Sequence, residues 1–296
     1  WILDNRPSPS QEYKYERSRN AETALETALQ RGGDQVAMRT PTGIDFFGGK
    51  TKINQKRTKV RSRVISDKLI NHITEAGNGI IMGHKNPDFD SIGSCIGLAR
   101  LALAYNPNVK IVIDQNNSNF KCSTERLLDA MPEYSDIFIS SARGLDMLRS
   151  DTLLIMSDVN NLKIVESSDI AANVWNTIII DHHRKTAEFE REPLIAYIEP
   201  LASSASELVS ELIEITSMGA NASDAARLSR HEANVMLAGI MLDTKNFAPT
   251  TSERTFSAAL YLRSAGADPE YARTFFFADL PSFVTESKLG SEVRLY

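Results

Sequence analysis

Two cysteines in 296 residues, Cys95 and Cys122, exclude a disulfide framework and a structural zinc finger. A reducing, cytosolic environment is expected. Basic residues are not in excess: 33 Lys and Arg stand against 38 Asp and Glu, a net charge of −5. That balance disfavours a protein that coats duplex nucleic acid. No apolar run is long enough to span a bilayer, and the N-terminus is not a signal peptide, so a soluble chain is expected. There is no internal repeat and no low-complexity tract. The chain has no initiator Met. It opens in polar sequence at Trp1 and reads as a piece of something longer.

What is present is a chain with 42% hydrophobic residues, enough for one large core or two smaller ones. Residues 1–20 are polar and irregular. Helical spacing marks Ala21 to Leu29, a turn follows at Gly32-Gly33-Asp34, and two short strands are expected at 35–39 and 44–47 around Pro41-Thr42-Gly43. Lys50 to Arg63 holds seven basic residues and no acidic one. With Val60, Val64, Ile65, Leu69, Ile70 and Ile73 at helical spacing, this reads as a connecting helix. Its basic run is either a solvated face or a patch for RNA or lipid. Beyond it strands alternate with helices: strands at 79–82, 110–114, 152–156, 176–180 and 194–198, helices at 91–104, 124–130, 204–217, 229–242, 253–265 and 268–277. The expectation is an α/β fold. A mostly parallel sheet carries helices on both faces, preceded by a small α+β unit and a linker helix. The expected divisions are 1–49, 50–77 and 78–296.

Chemistry concentrates at two places. His84-Lys85-Asn86-Pro87-Asp88-Phe89-Asp90 follows the apolar run Gly79–Met82, and Asp181-His182-His183 follows Thr177–Ile180. Both fall where a buried strand ends, the side of an open α/β sheet where ligands bind. Asp158 and Asp243 also follow apolar runs. Imidazole and carboxylate together suit borderline divalent cations such as Mn²⁺. Five or six such ligands exceed the needs of one ion and suit a pair about 3.5–4 Å apart, used for displacement at phosphorus. Taken singly, each residue has a plainer reading. Asp90 before Ser91 can be a helix N-cap, and Asp158 or Asp243 a cap or turn residue. Their combination argues for a site, since three of only five histidines lie in the two clusters. His72 and His231 fall on expected helices and receive no role.

The stretch Gly83–Gly93 resembles the first motif of GdpP-type cyclic-di-AMP phosphodiesterases, within the DHH phosphoesterase superfamily. Ala202-Ser203-Ser204-Ala205-Ser206-Glu207-Leu208-Val209 and Gly239–Phe247 resemble further motifs of that family. Arg31–Val36, Phe46–Lys50 and Lys56–Arg63 are similar to the end of its degenerate GGDEF domain and linker, so the resemblance implies such a remnant at 1–49 ahead of a DHH catalytic domain. It implies that His84 and Asp88 bind one Mn²⁺, that Asp90, His182 and Asp243 bind a second, and that Asp158 bridges them. His183 would face the scissile phosphate, Arg184 would pair with phosphate, and Asp181 would orient a neighbour. Ser203 and Ser204 receive no firm role.

Two departures from the family pattern stand out. The usual Asp-Thr-His around the bridging Asp reads Asp158-Val159-Asn160 here, so any role of that His does not transfer. No glycine-rich, His-containing substrate loop of a DHH-associated C-terminal domain occurs. The implied activity is hydrolysis of cyclic di-AMP to pApA, the cyclic dinucleotide being the partner and duplex nucleic acid not. Without that closing domain the chain is expected to turn over slowly or not at all. Alternatives are an oligoribonuclease or 3′-phosphoadenosine phosphatase, a family II pyrophosphatase, and a non-catalytic nucleotide-binding module. The full-length protein is expected at the cytoplasmic face of a bacterial membrane, held through segments outside this chain. The linker helix is a candidate homodimer contact.

Overall fold

The computed structural model describes residues 35–40, 43–48, 56–114, 127–185, 189, 191–218, 223–248 and 251–276. The helix expected at Ala21–Leu29, the turn at Gly32-Gly33-Asp34, Cys122, residues 124–126 and residue 277 lie outside them. The chain divides into two units, Trp1–Lys59 and Val60–Tyr296. In the first, β1 (Gln35–Thr40) and β2 (Gly43–Gly48) form an antiparallel hairpin in which Val36 faces Phe47 and Thr40 faces Gly43. This matches the pair of strands read from the sequence.

The second unit begins along α1 (Lys56–Glu75). Leu69 and Ile73 on this helix are fully buried, but Val64, expected on the same apolar stripe, is 49% exposed. The buried line runs instead through Ser62 and Ser66. Their hydroxyls find partners, Ser62 with Tyr197 Oη at 2.9 Å and Ser66 with Thr216 Oγ1 at 2.7 Å. Buried hydroxyls are tolerated when paired, so spacing of apolar residues alone misplaced the face. Arg61 pairs with Glu199.

Six strands make one parallel sheet: β3 (Asn78–Met82), β4 (Val109–Val112), β5 (Phe138–Ile139), β6 (Thr152–Ser157), β7 (Asn176–Asp181) and β8 (Ile195–Ile198). Every residue of β3 and β6 is buried, as expected of strands covered on both faces. One face packs on long helices, chiefly α2 (Phe89–Leu103), α5 (Ala205–Met218) and α6 (Arg230–Asp243). Among the described residues, the other carries the six-residue helices α3 (Ser141–Asp146) and α4 (Ser168–Asn173) and nearby loop residues. Neither short helix, nor two-residue β5, was expected, because so few residues carry no readable period. α7 (Glu253–Ser264) and α8 (Pro269–Thr274) close the described fold. Among the described residues no helix is long and apolar enough to cross a membrane.

The strand order is β5-β4-β3-β6-β7-β8. From β3 the chain moves outward through β4 to β5, then returns to the other side of β3 and moves outward again. The reversal opens a crevice at the carboxyl ends of β3 and β6, the place where open α/β sheets bind ligands. The first histidine cluster follows β3, Asp158 follows β6, and the second cluster ends β7.

Candidate metal centre

Three strands and two helices deliver carboxylates and imidazoles to this crevice. After β3 the chain passes His84 and reaches Asp88, the N-cap of α2. The Asp88 Oδ1 accepts from the backbone N–H groups of Asp90 and Ser91 at 2.9 and 3.0 Å. The cap is therefore Asp88, and the cap reading of Asp90 is incorrect. Asp90 lies inside the first turn, past the cap position. Its carboxylate, 1% exposed, instead accepts from the N–H groups of Ala205 and Ser206 at 2.7 and 2.8 Å. Those two donors open α5, whose N-terminal dipole favours a negative charge there. The Ala-Ser-Ser-Ala-Ser-Glu segment thus anchors Asp90. Within it, Ser204 Oγ accepts from the Glu207 N–H at 3.0 Å, and Ser203 Oγ donates to the Glu207 carboxylate at 2.6 Å.

Close helix packing brings Asp90 to Asp243. A Cβ added to Gly239 would stand 2.8 Å from Asp90 Cα and 2.9 Å from Phe89 O, and one on Gly93 would stand 2.9 Å from Val235 O. Only glycine at both positions lets α2 and α6 approach so closely. A Ser229–Glu232 capping box starts α6, and Glu232 is further tied to Arg100 and to Tyr134 Oη. Asp243 is the last residue of that helix.

Asp158 follows β6 with φ of 59°, a left-handed conformation that a non-glycine residue adopts only when its surroundings impose it. Its N–H is held by Ile180 O at 2.9 Å. This bend turns a nearly buried carboxylate to the centre of the crevice. His84 Nε2 lies 3.4 Å from Asp158 Oδ2 and 4.0 Å from Asp88 Oδ1. His182 Nε2 lies 3.4 Å from Asp158 Oδ1, 3.8 Å from Asp90 Oδ2 and 3.1 Å from Asp243 Oδ2. Asp158 stands between the two histidines.

The donor atoms fall into three groups of metal-binding spacing: His84, Asp88 and Asp158; Asp90, His182 and Asp243; and Asp158, His182 and His183. Asp158 Oδ1 and His182 Nε2 are shut off from solvent, yet neither makes a hydrogen bond. Lone pairs that converge without hydrogen-bond alignment are what a cation requires and what folding otherwise avoids. Four carboxylates (Asp88, Asp90, Asp158 and Asp243) balance the charge of two divalent ions. The residues fit a pair of borderline cations.

Electrostatics agree. Burial lowers the pKa of His182, but the Asp158 and Asp243 carboxylates outweigh it and hold the imidazole well above its ordinary value. For His84 too, burial works downward and is overcome by Asp158, Asp88 and Asp181. Burial, then the charge of Asp158, raises both Asp88 and Asp90. Asp158 goes the other way: burial works upward, but the two flanking histidines pull its carboxyl below the usual range. Attraction between unlike charges thus prevails at His84, His182 and Asp158, and burial with carboxylate repulsion prevails at Asp88 and Asp90.

His183 presents a side chain that is 58% exposed. Its Nδ1 meets Asp181 Oδ1 at 2.9 Å, and its backbone N–H donates to the same oxygen at 3.0 Å. The Asp181 contact, the first cause of its shift, raises its pKa. Asn160 completes this support. Its Nδ2 donates to Asp181 Oδ2 at 2.6 Å and to His183 O at 3.1 Å. Sequence reasoning gave Asn160 no role. Its one available signal was its place in the Asp158-Val159-Asn160 motif. Arg184 is exposed beside His183.

The sequence model described as the DHH family, N-terminal domain, matches residues 78–240. The chain belongs to the DHH family. It is 41% identical over 280 residues to the cyclic-di-AMP phosphodiesterase GdpP of Bacillus subtilis, covering 93% of this chain and 41% of that protein. It is 36% identical over 280 residues to the cyclic-di-AMP phosphodiesterase PdeA of Listeria monocytogenes, with the same coverage of 93% and 41%. This DHH chain therefore spans about two fifths of the length of those curated relatives. Among solved structures, an exopolyphosphatase-related protein from Bacteroides fragilis superposes with a TM-score of 0.60 at 23% identity. That match covers 83% of this chain and 68% of the other. At that identity it supports the fold alone.

Proposed function

We propose that this DHH chain hydrolyses one phosphodiester of cyclic di-AMP, giving the linear dinucleotide pApA, with two Mn²⁺ ions. The single observation that carries the reading is the convergence of three donor groups on Asp158 and His182 at the sheet's switch point. The cyclic-di-AMP phosphodiesterases named above support the choice of substrate.

In this reading His84, Asp88 and Asp158 hold one ion, and Asp90, His182, Asp243 and Asp158 hold the other. When bound, such ions acidify water and screen negative charge growing on phosphoryl oxygens. The chain's own residues do the rest. The α5 N–H groups hold the Asp90 carboxyl in place. The strained backbone at Asp158 aims one carboxylate at both half-sites. Asp181 accepts from His183 Nδ1, which also lies 3.4 Å from Asp158 Oδ1, so Nε2 is the ring nitrogen left to exchange a proton. His183 can then give a proton to the departing oxygen. Water oxygen bonds to phosphorus, the P–O3′ bond breaks, and the 3′ oxygen leaves protonated, so the product keeps a 5′-phosphate. Arg184 pairs with phosphate through its planar fork. In the same reading residues 1–49 and 50–77 are a GGDEF remnant and linker ahead of the catalytic domain at 78–296, and the parent protein works at the cytoplasmic face of the membrane.

The test incubates the purified chain and Mn²⁺ with cyclic di-AMP, separating products by chromatography. The expected product is pApA. Preferential consumption of pApA or of 3′-phosphoadenosine 5′-phosphate would move the assignment to an oligoribonuclease or phosphatase. Tight binding of cyclic di-AMP by the metal-loaded chain without any turnover would make it a binding module.

A further inference from the structure

Beside the metal centre, on the β4 side of His84, lies a small cavity of about 10 Å³, room for the centre of one water molecule. Gly83, His84, Ser91, Cys95 and Glu166 are among the residues that line it. Two polar atoms there are buried without a hydrogen bond, Ser91 Oγ and Glu166 Oε2. Gly83 makes the space: a Cβ at that position would stand 2.0 Å from Ser91 Oγ. Glu166 is firmly placed. Its N–H donates to Gly83 O at 2.9 Å, its Oε1 accepts from the Asp114 N–H at 2.9 Å, and the neighbouring Val165 bridges to His84. Only Oε2 is left to point at the cavity.

His84 is the wall this cavity shares with the crevice. Its Nε2 is turned to Asp158 and Asp88. Its Nδ1 makes no hydrogen bond with a described residue. For Nε2 to offer a lone pair to a cation, Nδ1 must carry the proton, and some acceptor must hold that proton in place. A water in the cavity has the partners it needs: Ser91 Oγ, Glu166 Oε2 and the imidazole, within the two to four expected of a buried water. Burial pushes the Glu166 carboxyl upward; the Asp114 N–H and, more weakly, the charges of His84 and Lys85 pull it back. That carboxylate therefore lies within the field of the metal-binding histidine.

We propose that Glu166 is a positioning residue for His84, acting through a water shared with Ser91 that fixes the imidazole with Nδ1 protonated and Nε2 directed at the His84–Asp88–Asp158 half-site. The inference rests on the reading of His84 as a metal ligand. Partners of this kind beyond the ligands typically contribute 10- to 100-fold in metal affinity.

The test is Mn²⁺ titration of the full chain, followed calorimetrically, for wild type and Glu166→Gln, Ser91→Ala and His84→Ala. Glu166→Gln keeps an oxygen for the Asp114 N–H and the shape of the side chain, so folding is preserved. It is expected to weaken one of the two Mn²⁺ sites about 10-fold and leave the other unchanged. Ser91→Ala should weaken the same site by a smaller factor. A crystal structure should show one water within hydrogen-bond reach of both Glu166 and Ser91. Unchanged affinity at both sites in Glu166→Gln, while His84→Ala loses one ion, would overturn the positioning role and leave the metal reading intact. Retention of both ions by His84→Ala would instead remove the reading on which it rests.

Discussion

The two half-sites of the centre are built in different ways. Asp90 is fully enclosed and is gripped by two backbone N–H groups from a different helix. Its half-site depends on α2, α5 and α6 being packed to glycine distance. Asp88 is 44% exposed along its side chain, and both N–H groups it accepts belong to its own helix. Apart from the shared Asp158, its half-site comes from one loop and the following turn. One half is held by tertiary structure and the other by local structure. Asp158, in a left-handed conformation between them, belongs to both.

Removing the shared residue should have the largest effect. Asp158→Ala is expected to abolish hydrolysis and to cut the Mn²⁺ content of both sites, while circular dichroism in the presence of chelator stays that of the wild type. Wild-type turnover in that variant would show that the two half-sites do not share a ligand.

The next change strikes the tertiary half alone. Gly239→Ala places a methyl group against the backbone of Phe89 and Asp90. Overpacking of this kind costs about 1–3 kcal/mol, read by denaturant unfolding. It should weaken the Asp90–His182–Asp243 site more than the His84–Asp88 site. Equal loss at both would mean that the halves are not independently built.

The smallest and most general effect is on pH. His84, His182, Asp88 and Asp90 all have raised pKa values in the metal-free protein, so the folded state binds more protons than the unfolded one. Their contribution to metal-free stability is present at low pH and is lost as pH rises through each raised value. For the histidines this loss begins above 6.5. Asp158 runs the opposite way, its contribution being present above 3.8 and lost as pH falls through its lowered value. Cations compete with those same protons, so Mn²⁺ affinity should rise with pH over the histidine range. Thermal melts with chelator and with Mn²⁺ should therefore change in opposite directions as pH rises from 6.5. Parallel changes would contradict proton–metal competition at these residues.

The sequence made the candidate ligands legible because strand ends are legible. An apolar run followed by His84, Asp158 or His182 marks a buried strand and the chemistry at its end. It did not reveal what orients them. Asp88 and Asp90 both stand at a helix start, and spacing alone cannot say which one caps. The grip of Ala205 and Ser206 on Asp90 spans 115 and 116 positions along the chain. The clamp of Asn160 on Asp181 depends on a bend at Asp158 that no residue preference predicts. On α1, buried serines displaced an expected apolar stripe because their partners lie on β8 and α5.

The order of residues alone determined the alternation of strands and helices, the parallel sheet, and which carboxylates and imidazoles occupy strand ends, because hydrophobic periodicity and residue chemistry are local properties. The folded molecule decided how those groups meet: which aspartate caps, which is gripped by a foreign helix, and which turns left-handed to serve both halves. Those outcomes depend on distances between segments remote in the chain, and close packing settles them only once the core has formed.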